Sequence, residues 1–186
     1  MLDMLEWIKG EKVEVLLTQQ QISERVKEMA DKISQDFAGQ PITLLATLKG
    51  SVFFLADLAR QINATVDIDF IKASSYGDRT KSDGVVELEH FPDTKLAGKN
   101  VIVLEDIIDT GYTMKYLHKY LMEQGPKSMK LCTLLDKPSR REVEGLSCDY
   151  VGFTVPDEFL VGYGLDYAQR YRNLPYVGIL HFEIVK

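Results

Sequence analysis

The sequence is poor in cysteine, histidine and positive charge, and each shortage excludes something. Two cysteines stand among 186 residues, Cys132 and Cys148, with no C-x-x-C spacing. They build no disulfide framework, so both are expected as small buried side chains of a reduced, cytoplasmic protein. The three histidines, His90, His118 and His181, are scattered and offer no metal-ligand spacing. Lys and Arg number 22 against 28 Asp and Glu, a formal net charge of −6. That balance carries no nucleic-acid footprint, although a local site for a small anion stays open. Long apolar runs are missing: stretches such as 52–56 and 101–104 cannot span a bilayer, so no membrane partner is expected. The opening MLDMLEWIKGEKVEV mixes acids with apolar residues and lacks a basic lead, so no signal peptide is read. Three familiar motifs are absent as well. There is no G-x-x-x-x-G-K-[ST] and no G-x-S-x-G, and Gly162 and Gly164 do not extend to G-x-G-x-x-G because Tyr167 holds the last place.

What is present is ordinary for a globular chain: 45% hydrophobic and 27% charged, with 13 Gly and 6 Pro. The length suits one domain, taken as residues 1–186. Thr18 to Gln21 forms a capping box, and Ile22, Val26, Met29, Ala30, Ile33 and Phe37 follow at helical spacing until Gly39-Gln40-Pro41. ITLLATL then reads as a strand, SVFFLADLARQI as a helix and VDIDFIKASSY as a strand. GDRTKSDG has no apolar anchor and predicts a mobile loop, left by the strand VVELEHF. The second half repeats the grammar: strand KNVIVLEDI, helix TGYTMKYLHKYLMEQGP, then strands MKLCTLLDK, YVGFTVP and YVGILHFEIV. Alternating strands and helices predict an α/β fold with a doubly wound, mainly parallel sheet. KVEVLL and the C-terminal segments are expected to make a small cap, or hood, over one end.

The polar clusters fall where such a fold puts ligands. LKGS, EDIIDTGYT, DKPSRR and PDEF each follow a strand, and the crevice of an open α/β sheet lies outside the carboxyl ends of its strands. In VIVLEDIIDTGYT a strand ends in Glu105 and Asp106, a third acid stands at Asp109, and Thr110-Gly111-Tyr112-Thr113 opens a helix. Hydroxyls, a glycine and free helix N–H groups make a monophosphate cradle. Adjacent acids suit a sugar diol and a hydrated Mg²⁺, since both want hard oxygen acceptors. Acids alone fit a helix cap equally well.

The string closely resembles the phosphoribosyl diphosphate (PRPP) signature of type I phosphoribosyltransferases. Within them the chain is similar to the hypoxanthine (hypoxanthine-guanine) phosphoribosyltransferases from about residue 44 to 180. LKGS, SSYG, EDIIDTG, LLDKPSRR and PDEFLVGYGLDYAQRYR stand in family order, and only the loop, with Asp78, Arg79, Lys81 and Asp83, is rather charged. The resemblance implies roles that the residues alone leave open. The backbone at Lys49-Gly50 would contact pyrophosphate, in some members after a trans-to-cis peptide switch; otherwise Lys49 is a solvated turn lysine. Ser75 and Tyr76 would touch the diphosphate from a loop that closes as a lid, where a plain hairpin tip is the alternative. Glu105 and Asp106 would hold ribose and Mg²⁺, Thr110, Gly111, Tyr112 and Thr113 the 5-phosphate, and Asp109 would act as general acid/base at purine N7. Lys137 would donate to the purine O6. Phe159, otherwise a core aromatic, would stack on the base, with Leu160 offering backbone groups to its edge. Asp166 would serve a second Mg²⁺ and Arg172 the diphosphate. Asp136, Arg140 and Arg141 are read as a solvated or subunit-contacting charge cluster, and Tyr163, Tyr167 and Tyr171 as packing.

The implied activity is purine salvage. A phosphoribosyl group passes from PRPP to hypoxanthine, and to guanine, in an enzyme that is a homodimer or homotetramer. The alternatives are a PRPP-binding regulator of the same fold and a sister enzyme preferring xanthine.

Overall fold

In the computed structural model, residues 11–76, 85–90 and 92–182 are described. The expected loop at 77–84 lies outside them, as do the side chains of Ser75 and Tyr76. The chain runs β1 (Glu11–Leu17), α1 (Gln19–Phe37), β2 (Ile42–Thr47), α2 (Val52–Ala59), β3 (Val66–Tyr76) and β4 (Val85–His90). It continues through β5 (Asn100–Ile108), α3 (Tyr112–Met122), β6 (Ser128–Asp136), a 3-10 turn (Pro138–Arg140), β7 (Tyr150–Thr154), β8 (Leu160–Val161) and β9 (Val177–Phe182).

α1 begins as its sequence dictates. The Gln21 amide donates to Thr18 Oγ1 at 3.3 Å, and the Thr18 amide donates to Gln21 Oε1 at 2.9 Å, closing the capping box. The helix stops one residue earlier than the glycine suggests: Ala38 itself takes the left-handed conformation, φ 48°. The six apolar residues of its stripe are all buried.

The main sheet has the order β4-β3-β2-β5-β6-β7. β2 pairs parallel with both β3 and β5, β5 with β6 and β6 with β7; only β4 runs antiparallel, on β3. Side chains of the central strands alternate between two cores. Leu44, Ala46, Ile102 and Leu104 pack with α1 and α2 on one face. Leu45, Val101 and Val103 pack with α3 on the other, through Met114, Leu117 and Leu121. A strand covered on both faces must be apolar throughout, which is why β2 is entirely buried. β7 is an edge strand, and Arg25 from α1 reaches it: Nε donates to the Gly152 carbonyl and Nη2 to that of Val151, both at 2.8 Å.

The hood is a three-stranded antiparallel sheet, β1-β9-β8, joining residues from both ends of the chain as expected. Cys132 is fully buried in the main core, but Cys148 is only half-buried, its Sγ lying 3.2 Å from the carbonyls of Leu131 and Tyr150. Burial pushes the Cys148 thiol up to about 11, so it has little thiolate character. Among the described residues no helix is long and apolar enough to cross a membrane.

Candidate active site

From β2 the chain crosses to β3 on one side, and β5 then returns to the other side of β2. The strand order therefore reverses between β2 and β5, and a crevice opens where their carboxyl ends diverge. Lys49-Gly50 leaves one of those ends and Glu105 to Thr113 the other. The topology alone brings these two clusters together.

Gly50 is the tightest point. A Cβ on it would stand 1.5 Å from Asp106 Oδ2, so only glycine lets the carboxylate lie against this turn. The Gly50 carbonyl is backed in turn by Gly164, where a Cβ would come within 1.9 Å of it. Gly164 takes φ +105°, so two separate demands fix glycine there. A cis peptide joins Leu48 to Lys49, one bond before the Lys49–Gly50 bond singled out from the sequence. Lys49 itself is exposed.

The two acids of β5 differ in setting. Thr47 Oγ1 donates to Glu105 Oε1 at 2.7 Å and also lies 3.0 Å from the Leu104 carbonyl. Asp106 Oδ1 accepts from the Ile107 amide at 2.8 Å while its other oxygen faces Gly50. Burial, and then the neighbouring Asp106 carboxylate, hold the Glu105 carboxyl well above its usual range, against the lowering effect of Thr47. The pair thus resists carrying two negative charges without a compensating group. Thr110 follows, and Gly111 caps α3 with φ 89° and no side-chain cap. The first amides of the helix are left to other acceptors. Gly111 has no room for a side chain, since a Cβ would lie 2.5 Å from Val143 Cγ2.

After the adjoining strands β6 and β7 stand the residues expected at the base. Lys137 is buried, yet its ammonium donates to the Glu158 carbonyl at 2.7 Å and lies 3.8 Å from Asp157 Oδ1. A buried ammonium with one fixed acceptor keeps further donors for a ligand. Phe159 is 46% exposed, which excludes the core-aromatic alternative. Its ring is held edge-on by Tyr167, centroids 5.6 Å apart, and by Phe182 at 6.1 Å. Leu160 buries its side chain in the main core and pairs with Ile179 in the hood. The tyrosines pack, as expected, although Tyr163 also donates its hydroxyl to Asp57 at 2.7 Å.

Arg172 and Asp166 meet directly, Nη2 to Oδ1 at 2.6 Å, and Arg172 Nη1 donates to the Gly164 carbonyl at 2.6 Å. Through Gly164 and Gly50 this pair adjoins Asp106. Arg172 Nε is buried with no acceptor among the described residues, an orphan donor beside the crevice. Asp166 Oδ2 accepts from the Gln169 amide at 2.8 Å. No cluster of three or more metal-ligating side chains occurs among the described residues. The adjacent carboxylates Glu105 and Asp106 still suit Mg²⁺, which takes one or two protein carboxylates and fills its remaining places with water and substrate oxygens.

Arg140 is exposed, as a solvated charge cluster requires, but it also meets two acids of the site: its Nε lies 3.0 Å from Asp109 Oδ1 and its Nη1 3.4 Å from Asp157 Oδ1. Arg141, by contrast, pairs with Asp136. Thr47, Gly164 and Asp157 also escaped sequence reasoning as parts of the site. A lone threonine at a strand end carries no signal, whereas the K-P-S-R spacing could have revealed Arg140, since residues three apart on a 3-10 turn share a face.

The sequence pattern of the phosphoribosyl transferase domain matches residues 12–168. The hypoxanthine-guanine phosphoribosyltransferase of Aquifex aeolicus is 45% identical over 171 residues, covering 91% of this chain and 96% of that protein. The hypoxanthine phosphoribosyltransferase of Escherichia coli is 44% identical over 168 residues, covering 89% and 94%. The bifunctional protein TilS/HprT of Listeria monocytogenes is 44% identical over 170 residues, and the chain spans only 26% of its length. A crystal structure of a Bacillus anthracis hypoxanthine-guanine phosphoribosyltransferase superposes with a TM-score of 0.86 at 47% identity, covering 92% of this chain and 100% of that one. The chain belongs to the phosphoribosyl transferase family, among its hypoxanthine(-guanine) phosphoribosyltransferases.

Proposed function

We propose that the protein transfers the 5-phosphoribosyl group of PRPP to N9 of hypoxanthine and of guanine, releasing pyrophosphate and forming IMP or GMP in purine salvage. The observation that supports this most is the convergence at the carboxyl ends of neighbouring strands. An acid pair and a helix N-terminus follow from β5 beside the strand-order reversal, and a buried lysine and an exposed phenyl ring follow the adjoining strands β6 and β7.

Glu105 and Asp106 take the ribose hydroxyls, and with Asp166 they are the residues that would hold Mg²⁺. When bound, the metal supplies positive charge to the departing diphosphate. Thr110 to Thr113 bind the 5-phosphate at the start of α3, where backbone amides and the helix dipole favour an anion. Arg172, with its orphan Nε, and the turn at Lys49-Gly50 serve the diphosphate, joined by Ser75 and Tyr76. Lys137 offers its ammonium to O6 of a 6-oxopurine; adenine presents an amino group there and leaves the buried donor unmatched. Phe159 stacks on the base while Leu160 reads its edge.

In the chemical step the C1′–oxygen bond to diphosphate breaks, its electron pair leaving with that group, as the N9–C1′ bond forms. Asp109 takes up the proton that the purine ring releases. Acids near C1′ stabilise the developing ribosyl cation, and the main catalytic contribution is electrostatic.

The enzyme acts in the cytoplasm as a homodimer or homotetramer, with residues 1–186 folding as one domain. The test is a panel of hypoxanthine, guanine, xanthine, adenine and uracil, each with PRPP and Mg²⁺. Nucleotide is expected from the first two. No turnover with any base would leave a PRPP-binding regulator, and a preference for xanthine would move the specificity.

A further inference from the structure

Lys137 precedes the 3-10 turn and Arg140 ends it, with the Arg140 amide donating to the Lys137 carbonyl at 3.1 Å. Both cations therefore face the same rim. The Arg140 guanidinium spans two elements. Nε reaches Asp109, just beyond β5, and Nη1 reaches Asp157, in the segment leading to Phe159. Asp157 also lies 3.8 Å from the Lys137 ammonium, so two cations and two carboxylates form one chain. The Asp109 end is specific. Oδ1 is fully covered, yet the side chain as a whole is 40% exposed. The guanidinium thus covers one carboxylate oxygen and leaves the exposure to the rest of the group. Nε sits off the line of an ideal hydrogen bond, holding Asp109 by charge and contact.

We infer that Arg140 is a positioning residue: it fixes the Asp109 carboxylate with Oδ2 turned to the purine, and through Asp157 it ties that orientation to the base-recognition segment. The inference rests on Asp109 being the acid/base group. An unheld carboxylate rotates about its side-chain torsions and spends less time in the geometry that proton transfer requires. Arg140 touches neither reacting atom in this role, so its loss should affect the chemical step and spare PRPP binding.

The experiment measures single-turnover nucleotide formation from hypoxanthine, and PRPP affinity separately, for Arg140→Gln, Arg140→Lys, Asp109→Asn and the double variant Asp109→Asn/Arg140→Gln. Arg140→Gln should slow the chemical step about tenfold, part of the roughly 10²–10⁴ available to acid/base catalysis, with PRPP affinity unchanged. Arg140→Lys, which keeps the charge, should recover most of that loss. In the Asp109→Asn background the glutamine should add nothing, since residues acting as a unit are not additive. An equal loss in both backgrounds would show that Arg140 acts apart from Asp109. A wild-type rate for Arg140→Gln, or no recovery with lysine, would make the contact a passive ion pair. If Asp109→Asn alone keeps the wild-type rate, the acid/base assignment falls, and this inference with it.

Discussion

Gly50 is where a single hydrogen atom decides the site. Gly50→Ala should cost about 1–3 kcal/mol of strain, because the new methyl group occupies the place of the Asp106 carboxylate. PRPP affinity and turnover should fall about 10-fold or more while the fold persists. Gly39→Ala is the control: its φ is +75° and nothing lies within 4 Å of a Cβ there, so about 1 kcal/mol of stability is lost and turnover is kept. Titrating PRPP against both variants separates the two effects. Asp109→Asn should slow nucleotide formation by about 10²–10⁴-fold, measured in single turnover, with PRPP still bound. Lys137→Gln should narrow the ratio of hypoxanthine to adenine use, and an unaltered ratio would return Lys137 to the role of a strand-end lysine. At this scale the sequence was legible wherever chemistry demands a residue type, as at Glu105, Asp106 and Lys137. It was silent where the demand is spatial. Nothing local says that Gly164 must back Gly50, 114 positions earlier, because that contact exists only once the hood is closed over the sheet.

Between elements, one carboxylate holds the entry to β5. Asp69 on β3 accepts from the Phe70 amide and from the Thr94 amide, both at 2.7 Å. Burial alone would raise its carboxyl, but the hydrogen bonds from Thr94, Phe70 and Asp93 outweigh it and the value is lowered. A lowered carboxyl stabilises the fold above the unfolded value, near 4, and that contribution disappears as pH falls through the lower folded value. Asp69→Asn should therefore cost about 1–3 kcal/mol at pH 7 and progressively less in acid, read by urea denaturation at several pH values. Helix and strand periodicity made α1, α3 and the parallel strands readable in advance, since their apolar patterns answer to one sheet. β8, two residues long, has no period to read. The 3-10 turn at Pro138–Arg140 was hidden for a similar reason, and with it the direction in which Arg140 points.

Across the whole molecule both sheets contribute to the site. The six-stranded sheet presents Glu105, Asp106 and Thr110 to Thr113, assigned to PRPP, near the reversal between β2 and β5, and Lys137, assigned to the base, just beyond the end of β6. Phe159 and Leu160, assigned to the base, belong to the hood and the segment leading into it: the Leu180 amide of β9 donates to the Phe159 carbonyl at 2.8 Å. On the proposed assignment, the hood's seat on the sheet would set the gap between the purine and the ribose. The alternation of strands and helices foretold the large sheet. The hood was expected only as a cap, because its strands lie at opposite ends of the chain and no local pattern pairs them. The Arg25 bridge acts at this scale too. The last strand of an open sheet offers unpaired carbonyls to any extended chain that meets it, and such contacts seed aggregates. By drawing the carbonyls of Val151 and Gly152 into bonds with its own first helix, the molecule occupies acceptors of this edge strand. Arg25 is therefore expected to hinder self-association during heating. Arg25→Ala should leave the specific activity of the folded enzyme intact and lower the temperature at which light scattering rises.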